Sequence, residues 1–315
     1  MAEEQCMVQM TEAKEAIRLD QFVAAAFLLS RAQAAKHIRE GHVRCNESVT
    51  RKVATRLHPG DVIAFERQAA SVTTSQPNPN PNPNPSIPIL YEDDQCLVVN
   101  KCPGLAVHPA PSHRGEQTLI EIVREERSAP RLMLVHRLDK GTSGCLLIAK
   151  TAESCEAFQE QFEKRTVEKE YLAIVAGVPK EKEATIDAPL GRSLMDRKKM
   201  SLFRTSRSRN AVTSYKILSE ANDAALLSCS IATGRTHQIR VHLAAIGHPI
   251  LGDETYGNET SQKLSENLGI ASPCLHAWKL TFLPPATRKE VYIEAPIPQL
   301  FREAAALLSL QVPEQ

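Results

Sequence analysis

The run Pro77-Asn78-Pro79-Asn80-Pro81-Asn82-Pro83-Asn84-Pro85 limits the possible folds more than any other stretch of the chain. Each proline removes a backbone donor and disfavours helix in the residue before it, so neither a helix nor a central strand can cross the repeat. Alternating prolines keep such a segment extended and semi-rigid. The repeat therefore predicts a linker, residues 67–88, between a small N-terminal module, 17–66, and a larger C-terminal one, 89–315, with 1–16 as an N-terminal tail. A chain of 315 residues has enough material for that division and for buried cores without disulfide staples.

Composition narrows the class. Apolar residues make up 42% and charged residues 24%, an ordinary globular balance that excludes disorder throughout. The best apolar run, Phe22 to Leu29, falls far short of the roughly 18 residues a membrane helix needs, so no membrane insertion is expected. The acidic start, Met1-Ala2-Glu3-Glu4-Gln5, lacks the basic-then-apolar order of a secretory signal and the arginines of a transit peptide, and predicts a cytoplasmic protein. Eight cysteines form no Cys-x-x-Cys pair or zinc-like cluster; they read as free thiols in a reducing compartment, with no metal site. The net charge of +1 says nothing about a nucleic-acid partner, so local distribution must decide.

In the N-terminal module a helix is expected over Leu19 to Leu28. Ser30-Arg31-Ala32-Gln33 forms a capping box for a second helix through Lys36 and Ile38, stopped by Gly41. Short strands follow at Val43-Arg44-Cys45 and, after the turn Pro59-Gly60-Asp61, at Val62-Ile63-Ala64-Phe65. From Arg18 to Glu66 the net charge is +3, an excess that fits a solvated surface as well as an RNA-binding one.

The C-terminal module opens with a hairpin pattern, Ile89-Leu90-Tyr91, Asp93-Asp94, then Cys96-Leu97-Val98-Val99. Further strands are expected at Cys145 to Ala149, Tyr171 to Ala176, Thr213 to Leu218 and Ala225 to Ile231. Thr151 caps a helix whose face carries Ala152, Cys155, Phe158 and Phe162. Another helix is expected from Thr236 to Ile246, packing Ile239, Leu243 and Ile246, and a terminal one from Pro298 to Leu310, packing Leu300, Ala304 and Leu307. The fold class is α+β.

Two segments can carry chemistry. His136-Arg137-Leu138-Asp139-Lys140-Gly141-Thr142-Ser143-Gly144 is a polar, glycine-punctuated loop between apolar Leu132-Met133-Leu134-Val135 and the strand at Cys145. That position holds a carboxylate rigidly at a sheet end and leaves room for a substrate, although an aspartate there can equally serve turn amides. Thr233-Gly234-Arg235-Thr236-His237-Gln238-Ile239-Arg240-Val241-His242 puts two arginines and two histidines around a helix start. Backbone amides there, with Arg235, can hold a phosphate. His237 and His242 are five apart, which does not align them for one metal; their residue pattern favours hydrogen-bonded packing histidines over catalytic ones.

The His136–Gly144 string, then Lys169-Glu170-Tyr171-Leu172-Ala173, then Gly234–His242 and Gly247-His248-Pro249-Ile250-Leu251-Gly252-Asp253, resembles the RluA/RluD-type pseudouridine synthases in order and over the whole second module. Arg18-Leu19-Asp20, Ser30-Arg31, Gly41-His42-Val43, Asn46 and Gly60-Asp61-Val62-Ile63 resemble an S-four-like RNA-binding domain, which RluD-like members also carry. One departure stands out: Lys101-Cys102-Pro103-Gly104 replaces the family's usual Lys-Pro-x-Gly, and no role is assigned to that loop.

The resemblance implies a mixed, mainly antiparallel sheet flanked by helices and loops, and an isomerase that turns uridine into pseudouridine in structured RNA. It implies that Asp139 is the catalytic residue, that Tyr171 stacks on the target base and handles its proton, and that Arg240 pairs with the Asp139 carboxylate. Arg137 helps evert the nucleotide or fills its gap; Arg235 and His237 contact substrate; Arg31, Lys36, Arg39 and Arg44 form the RNA face of the small domain. An ionised carboxylate enclosed with a base needs a counter-charge such as Arg240, and a tyrosine offers a flat ring with a polar edge. Because no atom enters or leaves, no cofactor is expected. Large-subunit ribosomal RNA is the expected partner, transfer RNA the alternative, with no membrane and no obligate protein partner. Residues 192–209, net +6 and including Arg197, Lys198 and Lys199, read as an RNA-backbone grip or a solvated loop. A non-catalytic RNA-binding or ribosome-assembly factor is the competing class.

Overall fold

The computed structural model describes residues 2–7, 18–26, 31–46, 48–58, 60–67, 86–109, 116–193, 196, 199–202, 208–221 and 223–314. The Pro/Asn repeat, Ser30, Pro59, Arg197 and Lys198 lie outside them. Contacts divide the chain into two units, Met1–Pro81 and Asn82–Gln315.

The N-terminal unit contains β1 (Ala2–Met7), α1 (Leu19–Ala26), α2 (Arg31–Glu40), β2 (Val43–Cys45), β3 (Ser48–Val49) and β4 (Val62–Arg67), the strands ordered β1-β4-β2-β3. Leu19 and Val23 on α1 and Ala34 and Ile38 on α2, each pair at i, i+4 spacing, bury against Val43, Leu57, Ile63 and Phe65. Gly41 ends α2 with φ +86°, a backbone conformation that costs a glycine little. One expectation is corrected. Residues 2–7, read as part of a tail, pair antiparallel with β4 from Ala2↔Arg67 to Met7↔Val62. Ala-Glu-Glu-Gln-Cys-Met has no apolar alternation; the strand forms because β4 otherwise presents an open edge of unpaired donors and acceptors.

The C-terminal unit begins with β5 (Ile89–Glu92), β6 (Cys96–Lys101), α3 (Leu119–Glu126), β7 (Met133–Leu134) and β8 (Ser143–Ala149). Next come α4 (Ala152–Lys164), β9 (Glu168–Ala176), β10 (Glu183–Asp187), β11 (Gly191–Arg192), β12 (Met200–Ser201), β13 (Val212–Ala221) and β14 (Ala224–Ile231). The chain closes with α5 (Gln238–Ala245), α6 (Glu259–Asn267), β15 (Leu275–Phe282), β16 (Val291–Glu294) and α7 (Gln299–Leu307). One sheet runs β10-β13-β14-β9-β15-β8-β6-β5, with β16 on β15 and β7 on β8; only the β15–β8 pair is parallel. β11 and β12 form a separate two-stranded ribbon. This is the mixed, mainly antiparallel α+β architecture expected.

Both faces of the sheet centre are covered. Leu97, Val99, Leu146 and Ile148 enter one core, whereas their alternate neighbours Cys96, Val98, Cys145, Leu147 and Ala149 enter another with Phe158 and Phe282. Burial on both faces explains why β6 and β8 read as unbroken apolar runs. Thr151 caps α4, its Oγ1 accepting from the Ser154 amide at 3.1 Å.

Two helix faces differ from expectation. On α7 the buried stripe is Phe301, Ala304 and Ala305, while Leu300 and Leu307 are 71% and 65% exposed. Phe301 with Ala304, Ala305 and half-buried Leu308 makes the i, i+3, i+4, i+7 pattern, one residue's rotation from the stripe inferred. On α5, Ile239 and Leu243 are buried, but Ile246 lies at the helix end and is exposed.

Candidate active site

Asp139 sits in the turn between β7 and β8, its carbonyl accepting from the Thr142 amide at 3.0 Å. Two features fix that turn. Gly144, at φ +105°, lies so close to β15 that an added Cβ would stand 2.1 Å from the Ala277 carbonyl oxygen, so only glycine allows the parallel β8–β15 approach. The fully buried Lys101 donates from Nζ to the carbonyls of Cys102, Lys140 and Thr142 at 2.8, 2.9 and 2.7 Å. The Gly104 amide adds a bond to the Lys140 carbonyl at 2.9 Å. The Lys101-Cys102-Pro103-Gly104 segment thus props the Asp139 turn from below, whatever its second residue. Burial drops the Lys101 pKa to about 8, and the Asp139 charge works against that fall.

Arg240, on α5, binds two carboxylates. Its Nη1 donates to Asp139 Oδ2 at 3.2 Å; its Nε and Nη2 donate to Asp253 Oδ2 and Oδ1 at 2.7 and 2.8 Å. Asp253 Oδ1 also accepts from the amides of Thr255 and Tyr256 at 3.0 and 3.2 Å. Burial opposes the Arg240 charge, but Asp253 and then Asp139 outweigh it and raise its pKa, so the guanidinium stays charged. The Tyr256 ring lies 5.2 Å from the guanidinium carbon.

Tyr171 projects from β9 into the same cavity, which has a volume of about 1310 Å³ and is also lined by Asp139, Arg240, Arg137, Arg235 and His237. Tyr171 is 7% exposed. Burial, reinforced by the negative charge of Asp139, pushes its hydroxyl above the usual range, so it remains a proton donor in neutral solution.

The helix start differs from expectation. α5 begins at Gln238, not Thr236, and His237 stands at the cap with φ +57°. Gln238 Oε1 accepts from Thr233 Oγ1 at 2.7 Å and from the Arg235 amide at 3.1 Å, so that amide is not free for a phosphate. His237 Nδ1 is 2.8 Å from the Tyr256 hydroxyl, and burial lowers its pKa; it is a neutral hydrogen-bonding group. His242 is buried between Thr213 Oγ1 and the Ala188 carbonyl, at 2.9 and 3.0 Å, a packing role.

Of the other residues singled out, Arg137 and Arg235 are exposed at the cavity and Lys199 precedes β12. Arg31, Lys36 and Arg39 lie on α2 and Arg44 on β2, in the other unit, with Arg39 exposed. Sequence reasoning gave no role to Asp253, Tyr256 or Lys101. Asp253 stands inside a quoted motif; nothing in the pattern marks Tyr256. Among the described residues, one group has metal-ligand atoms within 4.8 Å of one another, His37, Glu40 and His42 of the N-terminal unit.

Residues 95–245 match the family described as RNA pseudouridylate synthase, and residues 17–63 match the S-four domain. The chain is 35% identical over 298 residues to an uncharacterised RNA pseudouridine synthase of Bacillus subtilis, covering 92% of this chain and 93% of that one. The chain belongs to the RNA pseudouridine synthases. It is also 34% identical over 304 residues to the ribosomal large subunit pseudouridine synthase D of Zymomonas mobilis, covering 93% and 94% of the two chains. Among solved structures, human RNA pseudouridylate synthase domain containing 4 superposes with a TM-score of 0.59 at 29% identity, covering 72% of this chain and 95% of that one. As a pseudouridine synthase the protein is an isomerase with an RNA-binding domain ahead of its synthase fold.

Proposed function

We propose that this synthase isomerises uridines of large-subunit ribosomal RNA and that Asp139 carries the reaction. The observation behind the second claim is the meeting of a partly open carboxylate, a locked guanidinium and a buried tyrosine in one cavity. The Asp139 side chain is 24% exposed and faces the cavity, whereas Asp253, at 0%, is taken up by Arg240 and the amides of Thr255 and Tyr256. The Arg240 guanidinium supplies the Asp139 carboxylate with a counter-charge where a bound base displaces water. Tyr171 gives the everted uracil a flat surface during its rotation and keeps its hydroxyl proton; Arg137, exposed at the rim, fills the space the nucleotide leaves.

The substrate claim is supported by the S-four domain and by relatives in Zymomonas mobilis and Nitrosomonas europaea named ribosomal large subunit pseudouridine synthase D. Arg31, Lys36, Arg39 and Arg44, with Arg197, Lys198, Lys199 and Arg235, supply the backbone contacts that offset the cost of unstacking, about a few kcal/mol. A cytoplasmic site of action fits the free cysteines, of which Cys145, Cys229 and Cys274 are buried thiols raised by burial to about 12.

The test is to map pseudouridine across cellular RNA with and without the protein, then restore it with wild type or Asp139→Asn. Sites should vanish from large-subunit RNA without the protein and return only with wild type. Return with Asp139→Asn would refute the role of Asp139, and loss confined to transfer RNA would refute the substrate.

A further inference from the structure

Lys169 is the unexplained group of the cavity. It is 8% exposed, stands two residues before Tyr171 on β9, and lines the same cavity. Its ammonium lies 5.1 Å from the centre of the Phe162 ring, and among the described residues it has no carboxylate within ion-pair distance and no hydrogen-bond acceptor. The side chain beside it cannot balance it: His136 stacks on Phe162 at 4.7 Å, accepts the Leu147 amide on Nε2 at 3.0 Å, and is held neutral by burial. Glu163 and Glu254 also line the cavity, neither within ion-pair distance of Lys169, and two further acids are tied to other groups. Asp139 is tied to Arg240, and Glu170, on the opposite face of β9, bonds Ser228 and pairs with Lys279.

A desolvated cation without an anion costs several kcal/mol, and proteins keep such groups where a ligand supplies the anion. A uridine in RNA has one anionic part, its phosphodiesters. Residues i and i+2 of a strand share a face about 6.6 Å apart, a step comparable to that from a base to its own phosphate. With the base on Tyr171, the next position along β9 therefore meets the backbone on either side of that base.

We propose that Lys169 binds a phosphate flanking the everted uridine, completing its charge only when RNA is in place. This rests on the synthase reading given above and adds to it a built-in anchor for one phosphate, distinct from the exposed basic residues that grip RNA at large. The aromatic face of Phe162 holds the ammonium in position meanwhile.

The experiment uses the full chain and a synthetic stem-loop containing a uridine mapped as above. The phosphates 5′ and 3′ of that uridine are replaced, one at a time, by a neutral methylphosphonate. Lys169→Met should weaken binding of the unmodified stem-loop roughly tenfold or more, leave kcat at saturating RNA within a few-fold, and shallow the salt dependence by about 0.7–0.9. One of the two methylphosphonates should cost wild type the same factor and cost Lys169→Met nothing further. Lys169→Arg should restore most of the affinity. The proposal is overturned if wild type tolerates both methylphosphonates, if their losses add fully to that of Lys169→Met, or if the variant loses kcat with affinity intact. The wild-type comparison holds even if a variant fails to fold. Failure of this cycle on an RNA that wild type modifies leaves the synthase reading standing, whereas absence of any modified RNA removes both.

Discussion

Arg240 divides one guanidinium between two carboxylates of unequal exposure, and that division predicts what each is for. Asp253 takes the Nε–Nη2 edge with both oxygens, leaving Nη1 for Asp139. Such a fork–fork pair fixes the plane of the guanidinium as well as its position. Asp253→Asn keeps the shape but gives up the charge and one acceptor, so Arg240 should swing and Asp139 lose its fixed partner. We expect kcat to fall roughly 10- to 100-fold, with KM for RNA little changed; a kcat within twofold of wild type would show that Asp139 needs no such support. The pairing of Arg240 with Asp139 was legible through the family resemblance of its motif, and an enclosed carboxylate's need for a counter-charge gives that pairing a physical reason. Asp253 was not legible as its holder, because the pair closes across a loop whose course depends on Gly252. At φ +77°, an added Cβ there would stand 2.1 Å from the Ser272 carbonyl oxygen. Lys101 was hidden for a different reason: a lysine ending an apolar strand looks solvated until its three carbonyl partners are folded around it.

Among the elements, α7 and β15 show where pattern reading succeeds and fails. The terminal helix was legible as an apolar helix, but its stripe was rotated, because Leu300 and Leu307 outweigh alanines on any hydrophobicity count although the chain packs Phe301, Ala304 and Ala305. Phe301→Ala should therefore cost about 3 kcal/mol, and Leu300→Ala less than about 0.5 kcal/mol, measured by urea unfolding; similar costs for both would restore the rejected face. β15 was not foreseen at all, since His276 and Lys279 break its apolar pattern. His276 is fully buried, its ring nitrogens 2.9 Å from Ser143 Oγ and 3.3 Å from the Ala295 carbonyl oxygen. Burial lowers its pKa to about 4. The unfolded chain takes up this proton below about 6.5, but the folded chain does not until about 4, so stability is lost as pH falls between those values. At pH 5 the loss from His276 comes to about 2 kcal/mol, and half-buried His136, whose pKa is also lowered by desolvation, adds to it in the same direction. Unfolding free energies at pH 7 and pH 5 should differ by at least this amount, and His276→Gln should flatten the difference; an equally steep fall in that variant would place the titration elsewhere.

At the scale of the whole molecule, the Pro/Asn repeat made the two-part organisation legible, because no regular element can run through alternating prolines. The boundary between the two units falls inside it, between Pro81 and Asn82. Among the described residues their cores share none: Leu19, Val23, Ala34, Ile38, Val43, Leu57, Ile63 and Phe65 pack among themselves, and the residues of the larger cores come from Ile87 onward. Among the described residues, those lining the Asp139 cavity belong to the C-terminal unit. A chain beginning at Ser86 should therefore fold cooperatively by itself and keep the full set of Asp139, Tyr171, Arg240 and Asp253. What it lacks is the S-four domain with Arg31, Lys36, Arg39 and Arg44, the residues proposed above to contact phosphates. Removing those contacts should raise KM roughly tenfold or more and shallow the salt dependence by about 0.7–0.9 for each phosphate released, while kcat at saturating RNA stays within a few-fold. Steady-state rates at two salt concentrations separate the effects. A collapse of kcat with an intact fold would mean that the small domain helps to shape the cavity, and the division of labour between grip and chemistry would have to be abandoned.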